Sequence, residues 1–170
     1  SHELLAFKVL LADAYHVHKE QLEARPDDYG RDVYTRAMLG KEVTGSEYAA
    51  ALRWNEGFKQ RLRGIFGKVD AILSPTIPFG APKAEAGQEG AAWFDTIREI
   101  TRFTYCWSFA GVPALSVPCG FDGNGMPLGM QIAAPWFDET AAMRLGHAFQ
   151  LETSHHVRAP SYRHVDRLNS

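Results

Sequence analysis

The sequence predicts an α/β fold in which helices flank a small β-sheet. Two long segments, 3–24 and the one that begins with the capping motif at 44–47, carry apolar residues at three- and four-residue steps, which indicates amphipathic helices. Three short apolar runs, 69–73, 114–118 and 128–134, are bounded by glycine, proline and aspartate, as strands usually are. Because three strands leave both edges of a sheet open, we expect the sheet in this chain to be incomplete.

The first 66 residues are predicted to be helical. The helix over 3–24 ends before Pro26, since the residue preceding a proline avoids the helical region. A short helix over 31–39 follows, and the capping box of Thr44 and Glu47 begins a helix that reaches about Phe66. The apolar stripes expected to face the core are Leu4, Phe7, Leu11, Ala14, Tyr15, His18 and Leu22 in the first helix, and Tyr48, Leu52, Phe58, Leu62 and Ile65 in the last.

The remaining chain is predicted to alternate strands and helices. After the strand at 69–73, the three prolines of 74–82 exclude a helix or a central strand, and the small polar residues of 83–90 indicate a surface loop. One helix is expected over 91–108. The glycines that follow Asp122 allow an antiparallel hairpin between the last two strands.

Asp138 is predicted to cap a final helix that ends near Glu152. We therefore expect residues 1–152 to form one segment of a larger domain, in keeping with the incomplete sheet. Residues 153–170 have no periodic pattern and are expected to form a surface tail.

Composition excludes several classes of protein. The net charge of −2 gives no general attraction to nucleic acid or to an acidic membrane. Charged residues at Glu3, Lys8 and Asp13 interrupt the apolar opening segment, so it is predicted to be neither a signal peptide nor a membrane span. Cys106 and Cys119 make no disulfide framework, and a reduced, cytoplasmic setting is the default expectation.

The residues alone indicate no catalytic centre. None of the eight serines lies in a nucleophile elbow or has a lysine three residues later, and Ser116, inside an apolar strand, is interpreted as structural. Pairing of Cys106 or Cys119 with His147 would give a cysteine hydrolase, which stays open as an alternative. No histidine, cysteine or carboxylate cluster has the spacing of a metal site, so no metal is expected.

Three motifs carry a resemblance to a known family. The run A-G-x-P-A-x-S-x-P-x-G occupies 110–120, G-x-P-x-G-x-Q occupies 125–131, and F-D-E occupies 137–139. In this order and spacing they closely resemble the C-terminal portion of amidase signature enzymes, which cleave carboxylic amides. The segment VDAILSPTIP at 69–78 is similar to a further element of that family.

The resemblance implies a parent fold with a mixed β-sheet flanked by helices, of which this chain would supply the C-terminal part. It also implies a serine nucleophile activated through a second serine and a lysine, with no metal or organic cofactor and with a small amide as substrate. That Ser-Ser-Lys centre would belong to the N-terminal half, so no residue of this chain is expected to be catalytic. The residues expected to form one wall of the substrate pocket are Thr76, Ile77, Thr101, Tyr105 and Trp107.

Two further expectations follow. Relatives that serve tRNA-dependent amidation tend to be acidic near the position of Thr101, so the resemblance favours a general amidase. The open strand edges predict self-association. A noncatalytic binding module that reuses the same architecture remains the alternative from a different class.

Overall fold

The computed structural model describes residues 2–82 and 91–158 and shows an α/β architecture, as the sequence predicts. The predicted loop at 83–90 and the end of the chain from residue 159 lie outside the described residues. The elements are α1 (His2–Ala24), α2 (Arg31–Leu39), α3 (Gly45–Phe66), β1 (Ile72–Pro75), α4 (Ala91–Ile100), α5 (Tyr105–Ala110), β2 (Ala114–Phe121), β3 (Pro127–Ala133) and α6 (Glu139–Glu152), with short 3₁₀ helices at Pro26–Asp28, Gly40–Glu42 and His155–Val157.

A capping box and an ion pair fix the start of α3. The Thr44 hydroxyl accepts a hydrogen bond from the Glu47 N–H at 3.2 Å, and the Glu47 carboxylate accepts one from the Thr44 N–H at 3.0 Å. Lys8 of α1 pairs with the same carboxylate. The hydrogen bond from Lys8, followed by those from Thr44, lowers the pKa of Glu47 to about 2. This cluster therefore joins α1 to α3 through a carboxylate that is strongly held in its charged form.

The helices bury part of the predicted stripes, namely Leu22 and Leu62, together with residues outside the stripes. In α1 the buried side chains are Ala6, Val9 and Leu22, while His18 is exposed. In α3 they are Ala51, Asn55 and Leu62, while Leu52 and Ile65 are more than 40% exposed. The stripe prediction was therefore wrong at these exposed positions. Small residues such as Ala6 and Ala51 let helices approach closely, which a count of large apolar residues does not detect.

The sheet has the order β1-β3-β2, and both pairings are antiparallel. The hairpin between β2 and β3 confirms the prediction. Its turn is held by Asp122, whose carboxylate accepts hydrogen bonds from the N–H groups of Asn124 at 2.8 Å and Met126 at 2.9 Å. Gly125 has φ +79°, a conformation that glycine adopts without strain.

Helices cover both faces of this sheet. On one face α3 and α5 pack over Ala133, and the buried side chains there are Leu62, Trp107, Ala110 and Val112. On the other face α6 packs against Val117 and Ile132. Gly146 allows this approach, because a Cβ at that position would lie 2.5 Å from a methyl group of Leu115. Asp138 caps α6 through a hydrogen bond from the Ala141 N–H, as predicted.

Two predicted boundaries were wrong. The helix expected over 91–108 is interrupted at 101–104, where the hydroxyls of Thr101 and Thr104 donate to the carbonyls of Ile97 and Thr101 at 2.6 and 2.9 Å. Such side-chain hydrogen bonds compete with a regular helix. The strand expected at 69–73 begins at Ile72, because the Val69 N–H still bonds to the Ile65 carbonyl in the last turn of α3.

Within residues 2–82 and 91–158, no helix combines the length and the apolar character needed to cross a membrane.

Candidate functional site: a polar row on the sheet and an apolar cavity at its end

Three polar side chains share one register row of the sheet. Ser74 of β1 is opposite Gln131 of β3, which is opposite Ser116 of β2. Side chains at the same register level point to the same face of a sheet, so these three lie together. Their face is the one covered by α3 and α5, because Ile72 and Ala133, one row away on the same face, pack against Leu62 and Trp107.

Thr76, the first residue after β1, lies beside this row. Its N–H donates to the Gly129 carbonyl at 2.9 Å, and its hydroxyl lies 2.7 Å from the Ser116 hydroxyl. The two hydroxyls can meet because Gly129 lies between them. A Cβ on Gly129 would be 2.8 Å from the Thr76 oxygen and 3.2 Å from the Ser116 oxygen. The second glycine of the G-x-P-x-G-x-Q motif is therefore required by the contact between Thr76 and Ser116.

Gln131 connects the sheet to the interruption between α4 and α5. Its side chain is 4% exposed, and its amide nitrogen donates to the Phe103 carbonyl at 3.3 Å. This bond holds the segment 101–104 over the same face of the sheet that carries Thr76. A buried amide is costly unless it is hydrogen-bonded, so Gln131 favours one position of this segment.

The structure brings only some of the predicted pocket residues together. Thr76 pairs with Ser116, and Ile77 lines a cavity beside it. The Thr101 hydroxyl is engaged by the Ile97 carbonyl. Tyr105 instead contacts α1, where its ring lies 5.7 Å from the ring of Phe7.

Tyr105 is a half-buried aromatic residue, and Trp107 is a buried one. Burial raises the pKa of the Tyr105 hydroxyl, although the hydrogen bond with Thr101 and the charge of Arg36 act in the opposite direction. Trp107 is 8% exposed and packs in the core with Leu62 and Ala133. Its indole N–H is buried, with no hydrogen-bond partner in the described part of the chain.

An apolar cavity of about 630 Å³ lies where β1 leads into the loop that contains Ile77. It is lined by Leu73, Ser74, Pro75, Ile77, Pro78, Phe79, Gly80, Cys119, Asp122, Leu128, Gly129 and Met130. Cys119 reaches it because β2 bulges between Pro118 and Gly120, which leaves Cys119 unpaired in the ladder. A bulge redirects a side chain in this way.

The residues of the cysteine hydrolase alternative lie in separate places. Cys106 packs against the core on the α3 and α5 face, and Cys119 lines the cavity. His147 is exposed on α6, which covers the opposite face of the sheet, and it lines a different surface depression with Asp70 and Arg144. Across residues 2–82 and 91–158, no three His, Cys, Asp or Glu side chains are grouped so that they could hold a metal ion.

Reasoning from sequence missed Ser116 and Gln131 as parts of the site. Ser116 was interpreted as structural, and its contact with Thr76 is a packing contact as well as a polar one. The available signal was the two-residue spacing of Gly129 and Gln131 in β3, which places both on one face. What the sequence could not supply was the register that puts Ser116 and Ser74 in line with Gln131.

Comparison with protein families identifies the chain. A family model described as Amidase matches residues 3–143, which is most of the sequence. The chain belongs to the amidase family. Among its relatives is an amidase of Pseudomonas putida, 30% identical over 91% of this chain and 34% of the relative. A Glutamyl-tRNA(Gln) amidotransferase subunit of Halalkalibacterium halodurans is 35% identical over 82% of this chain and 29% of the relative.

Solved structures agree on the fold of this amidase chain. One, described as the crystal structure of an amidase, superimposes with a TM-score of 0.76 at 23% identity, over 91% of this chain and 36% of that one. At this level of identity the match shows the fold alone. The chain thus spans about a third of the length of the amidase relatives that it matches.

Proposed function

We propose that this chain is the C-terminal portion of an amidase signature hydrolase, which cleaves the C–N bond of a carboxylic amide without a metal or an organic cofactor. The chain contributes scaffold and one wall of the substrate pocket. The observation that carries this proposal is the family match over residues 3–143, together with its coverage of about a third of each relative.

The Ser-Ser-Lys centre of such an enzyme lies, in this proposal, outside the present chain. The pairing of its polar side chains supports this. The Ser116 hydroxyl is paired with Thr76, while Lys8 and Lys59 are paired with Glu47 and Glu56. These contacts serve helix and sheet packing, and they hold Lys8 and Lys59 at carboxylates rather than beside the Ser116 and Thr76 hydroxyls.

The pocket wall is proposed to consist of Thr76 and Ile77 on the loop and of Thr101, Tyr105 and Trp107 on the helical side. The bond from Gln131 to the Phe103 carbonyl supports the placement of Thr101 and Thr76 in one wall, since it ties the interruption between α4 and α5 to the face of the sheet that carries Thr76. The substrate class is a small amide, and a cytoplasmic setting fits the two reduced cysteines.

In this proposal the reading frame continues upstream of residue 1, and the experiment compares this chain with the protein expressed from the whole frame, the longer amidase. We expect the longer protein to release amine or ammonia from simple aryl and alkyl amides, and the present chain to match the buffer blank. Replacement of Cys106 and Cys119 by serine in the longer protein should leave turnover in place. Turnover by the present chain alone, surviving that double replacement, would contradict the placement of the catalytic centre.

A further inference from the structure

The lining of the cavity at the end of the sheet is mostly apolar, and it also contains the polar residue Ser74 and the carboxylate of Asp122. Its large apolar lining side chains include Leu73, Ile77, Phe79, Leu128 and Met130. Among the described residues that line it, none is a lysine, arginine or histidine, and Asp122 alone is charged. An anionic ligand would therefore find no partner of opposite sign in this wall, and it would lose its hydration on entry.

The hydrogen bonds of the hairpin turn fix the position of the Asp122 carboxylate at the cavity. One carboxylate oxygen accepts the two turn hydrogen bonds from Asn124 and Met126. The other faces the loop at Gly80, where a Cβ would collide with it. The negative charge consequently cannot swing away from the cavity without opening the hairpin turn.

The volume and the exposed apolar surface indicate the size of the ligand. A cavity of about 630 Å³ is within the usual range of small-molecule sites, roughly 300–1,000 Å³. Leu73 is 59% exposed and Phe79 is 39% exposed, so both offer apolar surface that a bound ring would cover. An aromatic ring suits this wall, because aromatic pairs with Phe79 gain energy beyond the area that they bury.

We propose that this cavity binds an uncharged aromatic group and that Asp122 disfavours the corresponding carboxylate. The inference rests on the proposed function for the nature of the ligand, since amide hydrolysis converts a neutral aryl amide and water into an arenecarboxylic acid and an amine. The acid ionises at neutral pH, and its carboxylate is then repelled by Asp122. The cavity therefore favours the amide over its acid product.

Cys119 reports on occupancy because its thiol lines the cavity, whereas Cys106 lies against the core. The experiment measures alkylation of each thiol by iodoacetamide, resolved by peptide mass spectrometry, while benzamide or benzoate is titrated into the purified protein. We expect benzamide to slow alkylation of Cys119 saturably and to leave Cys106 unaffected. Benzoate should require a concentration about tenfold higher or more for the same protection.

Three variants separate this site from unspecific adsorption. Asp122→Asn keeps an oxygen acceptor for the turn and removes the charge, so benzoate should then protect Cys119 within about twofold of benzamide. Phe79→Ser should weaken protection by benzamide about three- to tenfold. The matched control, Phe137→Ser, removes a ring that is 93% exposed and outside the cavity, and it should change nothing.

Three results would overturn the inference: absence of saturable protection by benzamide, equal protection by benzoate in the wild-type protein, or no gain for benzoate in Asp122→Asn. Its failure is distinguishable from failure of the proposed function. Benzamide hydrolysis by the longer amidase without protection of Cys119 rejects the cavity alone. Protection without amide hydrolysis by that protein keeps the cavity and rejects the proposed hydrolase activity.

Discussion

Replacing Gly129 by alanine tests the packing that brings Thr76 to Ser116. The added Cβ would lie 2.8 Å from the Thr76 oxygen and 3.2 Å from both the Thr76 Cβ and the Ser116 oxygen. Because the two hydroxyls are only 2.7 Å apart, they cannot both keep their places around a methyl group. We expect Gly129→Ala to lower the free energy of unfolding by about 1–3 kcal/mol, the usual cost of overpacking.

The assay is urea unfolding, followed by the fluorescence of the four tryptophans. Gly123→Ala is the control, since a Cβ there would meet no atom within 4 Å, and its effect should stay within about 0.5 kcal/mol. In a Thr76→Ala background the same Gly129 substitution should cost at least about 0.5 kcal/mol less, because the nearest atom is gone. A Gly129→Ala protein as stable as the wild type, or an equal cost in both backgrounds, refutes the reasoning.

Three other predictions concern charge, association and the core. Lys8 lowers the pKa of Glu47 from 4.5 to about 2, which contributes stability above pH 4.5 that is lost as the pH falls toward 2. Glu47→Gln should therefore flatten the pH dependence of stability, which urea unfolding midpoints from pH 6 to pH 3 measure. Light scattering at high micromolar concentration should show self-association, and a stable monomer would contradict this prediction. Leu73→Lys in the edge strand β1 should reduce the association, whereas the control Met143→Lys on α6 should not. In the longer amidase, Trp107→Ala should change the ranking of amide substrates; if stability instead falls by about 3–5 kcal/mol with the ranking preserved, Trp107 only packs the core.

Local signals in the sequence were sufficient for the elements that depend on near neighbours. The capping box of Thr44 and Glu47 begins α3 where it was expected, and Asp138 caps α6 in the same way. The hairpin turn at Asp122 also lies where it was predicted. Each of these signals joins residues within four positions of one another, so the sequence contains the whole interaction.

Contacts between segments that are distant in the sequence could not be predicted from such local signals. The row of Ser74, Gln131 and Ser116 depends on two strand registers, and the chain separates these residues by up to 57 positions, the interval between Ser74 and Gln131. The interruption at 101–104 also depends on competition between side-chain hydrogen bonds and helix propensity, which a periodic apolar pattern does not reveal. The candidate site lies where these nonlocal contacts meet, and for that reason its composition was predicted only in part.

The loop after β1 connects the two halves of the candidate site. Thr76 faces the polar row and bonds to Ser116, while the next residue, Ile77, lines the apolar cavity. The chain bends directly after β1, at Thr76 and Ile77, and this bend lets one segment contribute to both environments. The Thr76 hydroxyl lies 2.7 Å from the Ser116 hydroxyl, and Gly129, which both hydroxyls approach, belongs to the strand that carries Gln131. Gln131 of the same strand donates to the Phe103 carbonyl, so β3 contacts the cavity, the polar row and the segment at 101–104.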